Sequence, residues 1–328
     1  MTTAPEPTDK LDAMTAAVGV VNGPEDATLD WHQIDWRVCE ASVRRLRQRI
    51  FTASQAGDLA RVRSLQKLML RSRANTLVSV RRVTERNAGR LTAGVDGEVV
   101  LTPEAKMQLA DRIQHPTEPF KALPVRRVYI PKPGSAKRRA LGIPVIADRC
   151  HQARVVNALE PEWEARFEPR SYGFRPGRGC HDAIAAIYLT AKGRSPRRRW
   201  ILDADLAAAF DRITHDHILA MLGTFPARGM VAQWLKAGVV ENGRLSRTEE
   251  GTPQGGVMTA PTQKVTWVIG AWVRDGDRVA DGDGVVVAAD QDLADDEPQD
   301  ALLAGDVELS SPSARRPRNP SRVSASLR

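Results

Sequence analysis

The hydrophobic period of this chain fades soon after Gly256, and that limits how much of it can fold around a core. From Asp275 to Arg328 the sequence mixes Asp, Ala, Gly, Ser and Arg with neither a helical nor a strand repeat. A segment that cannot line up an apolar face cannot bury one. Residues 1–30 are similarly small, polar and without period. Any packed core is therefore expected between Trp31 and about residue 260.

Charge divides along the same line. The formal net charge is +8, yet residues 275–328 carry 12 Asp/Glu against 6 Lys/Arg, which leaves +14 on residues 1–274. A surplus of that size on a soluble body suits a polyanionic partner, although a solvated basic surface with no partner is the plainer reading. Other classes fall away. No apolar run reaches the roughly 20 residues of a membrane helix; the longest, Val265 to Val273, is broken by Thr266 and Gly270. Met1 to Lys10 has no apolar core, so secretion is not expected. Cys39, Cys150 and Cys180 are odd in number and far apart, which fits reduced thiols in a cytoplasm better than a disulfide or zinc framework.

Within the foldable stretch, Val43, Leu46 and Ile50 recur at helical spacing, with Arg44, Arg45, Arg47 and Arg49 around the other face. Val62, Leu65, Leu68 and Met69 repeat the pattern ahead of Arg71, Arg73, Arg81 and Arg82. Gly94-Val95-Asp96-Gly97 is a turn signal, and Thr102-Pro103-Glu104 reads as an N-cap, a first-turn proline and an acid. A strand is expected over Val125–Ile130, a helix carrying Val155, Val156, Leu159 and Trp163, and a second helix over Asp182–Leu189. Trp200–Leu206 reads as a short strand and His217–Leu222 as a helix.

Three segments carry residues able to do chemistry. Asp205 ends the hydrophobic strand, with Phe210 five residues on. A carboxylate there can hold Mg²⁺ through hard oxygen ligands, and an aromatic can lie under a sugar and exclude a 2′-hydroxyl. Taken alone, such a junction is more often capping and solvation. Gly251-Thr252-Pro253-Gln254-Gly255-Gly256 lets backbone approach a base pair closely, with a Gln amide to touch it, though a Gly/Pro-rich loop is usually only a loop. Lys132, Lys137 and Arg139 sit on a proline-framed turn that can clamp a triphosphate or simply be a basic surface hairpin. A metal site from His215, Asp216 and His217 is a poor alternative, because adjacent residues around a turn seldom face one ion.

The order of these blocks closely resembles that of group II intron reverse transcriptases and maturases. Arg139-Ala140-Leu141-Gly142-Ile143-Pro144 is similar to the family's fingers block, and Ser171-Tyr172-Gly173-Phe174-Arg175-Pro176-Gly177-Arg178 to the block after it. Asp205-Leu206 through Phe210-Asp211-Arg212-Ile213-Thr214-His215 is similar to its palm block, followed by the Gly251–Gly256 loop. Upstream, Trp31, Ile34-Asp35-Trp36, Val80-Arg81-Arg82-Val83-Thr84 and Gly94-Val95-Asp96-Gly97 look like the small helical domain of bacterial members. The resemblance spans about residues 31–260.

It implies an α+β fold: a helical N-terminal domain over 31–97, then fingers and a partial palm over 98–262, built as a small antiparallel sheet packed on helices. Residues 1–30 would form a disordered leader and 263–328 a divergent, disordered tail. The resemblance also implies RNA-directed DNA polymerase chemistry with Mg²⁺. Asp205 would be a catalytic metal ligand and Phe210 the sugar screen. Arg139, with Lys132 and Lys137, would contact the triphosphate, while Gln254, Gly255 and Gly256 would lie along nucleotide and template. Arg175 and Arg178 would touch template or primer; Arg44, Arg45, Arg81 and Arg82 would meet intron RNA.

The match fails after Met258. The family's Tyr-Ala-Asp-Asp hairpin, which completes the metal pair, has no counterpart; Val285-Val286-Val287-Ala288-Ala289-Asp290 comes nearest and makes Asp290 a weak candidate ligand. Ala207-Ala208-Ala209 is small where the family tends to carry Lys or another bulky residue. One carboxylate cannot hold two metal ions about 4 Å apart for in-line displacement. The expectation is a C-terminally truncated member with little polymerase activity of its own and an unpaired palm-strand edge. The alternatives are a non-catalytic splicing cofactor that binds intron RNA, or a degenerate gene remnant.

Overall fold

The computed structural model describes residues 30–131, 138–173, 175–192, 200–206, 212–252 and 321–327. Three helices open it: α1 (Trp36–Gln55), α2 (Leu59–Arg71) and α3 (Arg73–Arg81). Each begins at a side chain that meets an orphan N–H. Asp35 accepts from Val38 N at 3.1 Å, Asp58 from Arg61 N at 2.9 Å and Ser72 from Asn75 N at 3.3 Å. On α1 the buried positions are Cys39, Val43, Leu46, Ile50 and Ala53, alternating spacings of four and three. That stripe is the face seated on the core. A π-helical turn over Arg82–Arg86 continues α3.

After the Gly94–Gly97 turn comes α4 (Pro103–Gln114), capped as expected by Thr102, whose hydroxyl accepts from Ala105 N at 3.2 Å. The hairpin β1 (Val125–Pro131) and β2 (Arg138–Ile143) leads into α5 (Ile146–Glu164), the helix around which the others gather. Ile146, Cys150, Ala158 and Leu159 on α5 are at most 1% exposed. They pack in one cluster with Ile50, Met69, Val80 and Leu109, and each large member contributes about 1.5–3 kcal/mol by leaving water. The same cluster takes in Ile218, Val231 and Leu235, so the core runs without a break across residue 97.

Beyond α6 (Cys180–Ala191) and β3 (Trp200–Leu206) lie α7 (His215–Leu222) and α8 (Arg228–Lys236). The hairpin β4 (Val239–Glu241) and β5 (Arg244–Ser246) follows. The main sheet has the order β2-β1-β4-β5. Both hairpins are antiparallel, but β1 and β4 run parallel, pairing Val125 with Val239 and Arg126 with Val240. The sheet is therefore mixed rather than purely antiparallel. The chain crosses over through helices before β4 and returns in the direction of β1, which a parallel pair requires.

One strand falls in the tail expected to be disordered: β6 (Ser321–Leu327) runs parallel to β3 in register from Trp200–Ser321 to Leu206–Leu327. Ser321, Val323, Ala325 and Leu327 alternate with Arg322, Ser324 and Ser326, a period of two too short to stand out in biased sequence. Among the described residues no helix is long and apolar enough to cross a membrane.

Candidate nucleotide and nucleic-acid interface

The two blocks expected to carry polymerase chemistry meet through their flanks. Gly251 N donates to Ile213 O at 2.8 Å, and Thr214 forms an antiparallel bridge with Glu250. His215 Nε2 lies 3.0 Å from Gly251 O. A carbonyl only accepts, so the ring proton is on Nε2. Thr214 also caps α7, accepting from His217 N at 3.4 Å, and Thr248 Oγ1 donates to Leu235 O at 2.6 Å. The end of the palm-like block and the start of the Gly251–Gly256 loop are thus stitched together from positions some 36 residues apart. Asp205 occupies the next-to-last position of β3, in register with Ser326. Phe210, Gln254, Gly255, Gly256 and Asp290 lie outside the described residues.

The β1–β2 hairpin presents guanidinium groups on both faces. Cross-strand partners share a face, so Arg126, Val128 and Ile130 align with Ile143, Leu141 and Arg139, while Arg127 and Pro131 align with Gly142 and Arg138. Arg139 is half-buried on the first of these faces. Lys132 and Lys137, in the connecting turn, lie outside the described residues.

Below the hairpin, two buried charges on α5 that the sequence did not single out fix its base. Arg149 donates to Pro144 O and Gly89 O at 2.9 Å each, and also to Thr92 O. Burial weighs against its charge and lowers its pKa. Asp148 accepts from Trp234 Nε1 and from Leu123 N, both at 3.0 Å, and burial raises its carboxyl above the ordinary range. One carboxylate therefore ties the start of β1 to α8. Gly94 completes the arrangement: an added Cβ would stand 2.6 Å from Val145 Cα. An isolated sequence offers no signal for Asp148 or Arg149, because their partners Leu123, Trp234, Gly89 and Thr92 are brought to them only by the packing.

Arg175 points into the protein. Its side chain is 4% exposed and ion-paired to Glu164 at 2.7 Å, and it also donates to Glu168 O and Ser171 O. Its guanidinium organises the loop from within and leaves none of itself to offer a template. Arg178 donates to Pro169 O and, at 2.9 Å, to Ser171 O, with its guanidinium 5.7 Å from the Tyr172 ring centroid.

On the helical side the four candidates divide. Arg44 and Arg45 are exposed. Arg81 is bound to Glu40 at 3.3 Å and Glu85 at 3.2 Å and lies 4.4 Å over the Trp36 ring. Arg82 is half-buried in the π-helical turn. The outward face of α1 and α2 is strongly positive. Arg37, Arg44, Arg45, Arg49, Arg61, Arg63, Lys67 and Arg71 are all exposed, and Glu40, the one acid within the two helices, is taken by Arg81 and Arg86. Among the described residues no three His, Cys, Asp or Glu side chains gather in a way that could hold a metal ion.

Comparison with known proteins bears on all of these elements. Residues 31–113 match the N-terminal domain of reverse transcriptase, and residues 130–263 match the reverse transcriptase (RNA-dependent DNA polymerase) family. Protein YkfC of Escherichia coli strain K12 is 34% identical over 223 residues, 65% of this chain and 58% of that protein. Group II intron-encoded protein LtrA of Lactococcus lactis subsp. cremoris is 38% identical over 140 residues, 42% of this chain and 23% of LtrA. An uncharacterized 91 kDa protein in the cob intron of Schizosaccharomyces pombe is 30% identical over 203 residues, 60% of this chain and 24% of that protein. The chain thus spans less than two thirds of each of these relatives.

Proposed function

This chain belongs to the reverse transcriptase family, with relatives encoded by group II introns, and from that premise we propose that it binds structured intron RNA through α1 and α2 and seats a primer–template with its incoming nucleotide between the β1–β2 hairpin and the Gly251–Gly256 loop. The observation that carries the reading is the outward face of α1 and α2, eight exposed Arg and Lys side chains against two exposed acids, Asp35 and Asp58, which cap the helix starts. Such a face matches a phosphate backbone, whose contacts release counterions and dominate affinity.

In the nucleotide site the residues act by position and charge. Arg139, with Lys132 and Lys137 in the turn beside it, meets the triphosphate; Gln254, Gly255 and Gly256 line the base pair. Arg149 and Asp148 hold the base of the hairpin to α8 and to the segment before α4, so the guanidinium is presented from a rigid frame. Phe210 screens the sugar. Arg178, at the rim of its loop, faces the primer or template. Reverse transcriptases use divalent ions such as Mg²⁺, and Asp205 is the ligand this chain offers; the described residues supply no acidic cluster to complete a pair. The reading is of RNA, primer–template and nucleotide binding; extension is not expected because the sequence has no Tyr-Ala-Asp-Asp block.

The test is a salt titration of binding to a structured intron RNA domain. Wild-type protein should lose affinity steeply with salt. A variant with Arg44, Arg45, Arg61 and Arg63 changed to Gln should lose about three to four of the ion-release contacts from the slope, with an unchanged melting temperature. Equal slopes for the two proteins would sink the proposal.

A further inference from the structure

The turn at Gly251 is held at both of its backbone polar groups. Its φ is +77°, in the left-handed region that glycine adopts without steric cost. Both of its backbone polar groups are taken, the N–H by Ile213 O at 2.8 Å and the carbonyl by His215 Nε2 at 3.0 Å. His215 is 5% exposed and sits at the first position of α7, whose remaining buried residues Ile218, Leu219 and Leu222 anchor the helix independently. The next residue along the loop, Thr252, is 8% exposed, and its buried hydroxyl has no hydrogen-bond partner. The loop leaves this turn gripped by backbone and by one imidazole, with no hydrogen bond from the side chain that follows.

We propose that His215 is a positioning residue for the incoming nucleotide: by holding the Gly251 carbonyl it fixes the peptide at which the Gly251–Gly256 motif begins. The inference rests on the reading above that Gln254, Gly255 and Gly256 line nucleotide and template. An ordinary buried histidine satisfied by a nearby carbonyl would stabilise the fold generally. Here the partner is a glycine peptide, free to rotate once released, at the threshold of the loop. The helix bearing the histidine stays fixed by its apolar face. Loss of the ring's N–H thus falls on the loop.

The experiment uses the full chain with His215→Leu, which keeps volume without a donor, and His215→Gln, whose amide nitrogen reaches close to the position of Nε2. Each protein is bound to an RNA template carrying a dideoxy-terminated DNA primer. The next complementary deoxynucleoside triphosphate is then titrated with Mg²⁺, and survival of the complex against heparin is measured. The Leu variant should need about tenfold more nucleotide, equivalent to about 1.4 kcal/mol; the Gln variant should stay within about threefold of wild type. Both should bind primer–template normally when nucleotide is absent. In parallel, amide exchange across residues 246–252 should quicken in the Leu variant and be restored in the Gln variant. Equal nucleotide requirements in the Leu variant and wild type overturn the positioning role, and so does unchanged exchange. If the wild-type complex gains no protection from nucleotide, the nucleotide reading itself falls, and the exchange data, independent of nucleotide, still decide whether the clamp exists.

Discussion

Replacing Gly94 with Ala isolates one packing contact at the base of the β1–β2 hairpin. A Cβ at Gly94 would lie 2.6 Å from Val145 Cα, 2.7 Å from Val145 N and 2.8 Å from Val145 Cγ1, roughly an ångström inside ordinary carbon contact. Two of those three atoms are backbone, so a rotamer change cannot relieve the clash. Gly94 does not occupy the left-handed region, so Ala incurs no conformational strain there and gains about 0.4–1 kcal/mol by restricting the unfolded chain. Overpacking against rigid neighbours costs about 1–3 kcal/mol, and immobile backbone puts this case at the upper end. The net destabilisation is about 2 kcal/mol, a fall of roughly 4–8 °C in melting temperature for a body of this size. Thermal unfolding followed by circular dichroism measures it. Two controls sharpen the result. Val145→Ala removes only the Cγ1 contact and should not rescue the double mutant. At Gly97, where φ is +71° and an added Cβ meets nothing within 4 Å, the cost is purely conformational. There Asn, which tolerates left-handed backbone, should recover most of what Ala loses; at Gly94 it should not. A Gly94→Ala protein melting with wild type would refute the contact and the tie it makes between the Gly94–Gly97 turn and the end of β2.

Further outcomes follow from other buried groups. His151 stacks edge-on to Phe120 and lies beside Arg154; burial, then that positive neighbour, lower its pKa to about 4. The folded state thus binds the proton less readily than the unfolded one, so stability should decline as pH falls from 6.5 toward 4, by on the order of 3 kcal/mol. His151→Leu should flatten that limb in urea titrations at stepped pH; a limb of the same depth would assign the acid sensitivity elsewhere. Arg175→Met strands Glu164 and two loop carbonyls, and should cost about 3 kcal/mol. It should also open residues 168–178 to limited proteolysis, and unchanged cleavage there would contradict an internal role for this arginine. Primer extension on an RNA template with Mg²⁺ should give no product. Product that vanishes in Asp205→Ala would mean that residues beyond Gly256, Asp290 among them, complete the metal pair.

Much of the fold was legible in residues alone because its determinants are local. The stripe Val43, Leu46, Ile50 specifies one buried face of α1, and Thr102 with Pro103 specifies the start of α4, whatever surrounds them. The hairpin β4–β5 has an equally local determinant. Asn242-Gly243 is a strong two-residue turn signal, and both residues have positive φ, 50° and 77°. The motif order likewise led to the family from sequence.

Tertiary structure decided what depends on which groups meet across long separations. Arg44 and Arg175 are chemically the same side chain in basic segments, yet one faces water and the other is ion-paired beneath a loop. Burying a guanidinium is tolerable only where acceptors converge on it, and those acceptors come from Glu164, Glu168 and Ser171 together. His215 and Gly251 each look ordinary in sequence, and their bond exists only because α7 and the end of the β4–β5 segment are brought side by side. Periodicity reports the face a helix buries; it carries no information about the partner waiting on that face, and the clamp, the Asp148 tie and the parallel β1–β4 pair are all properties of partners.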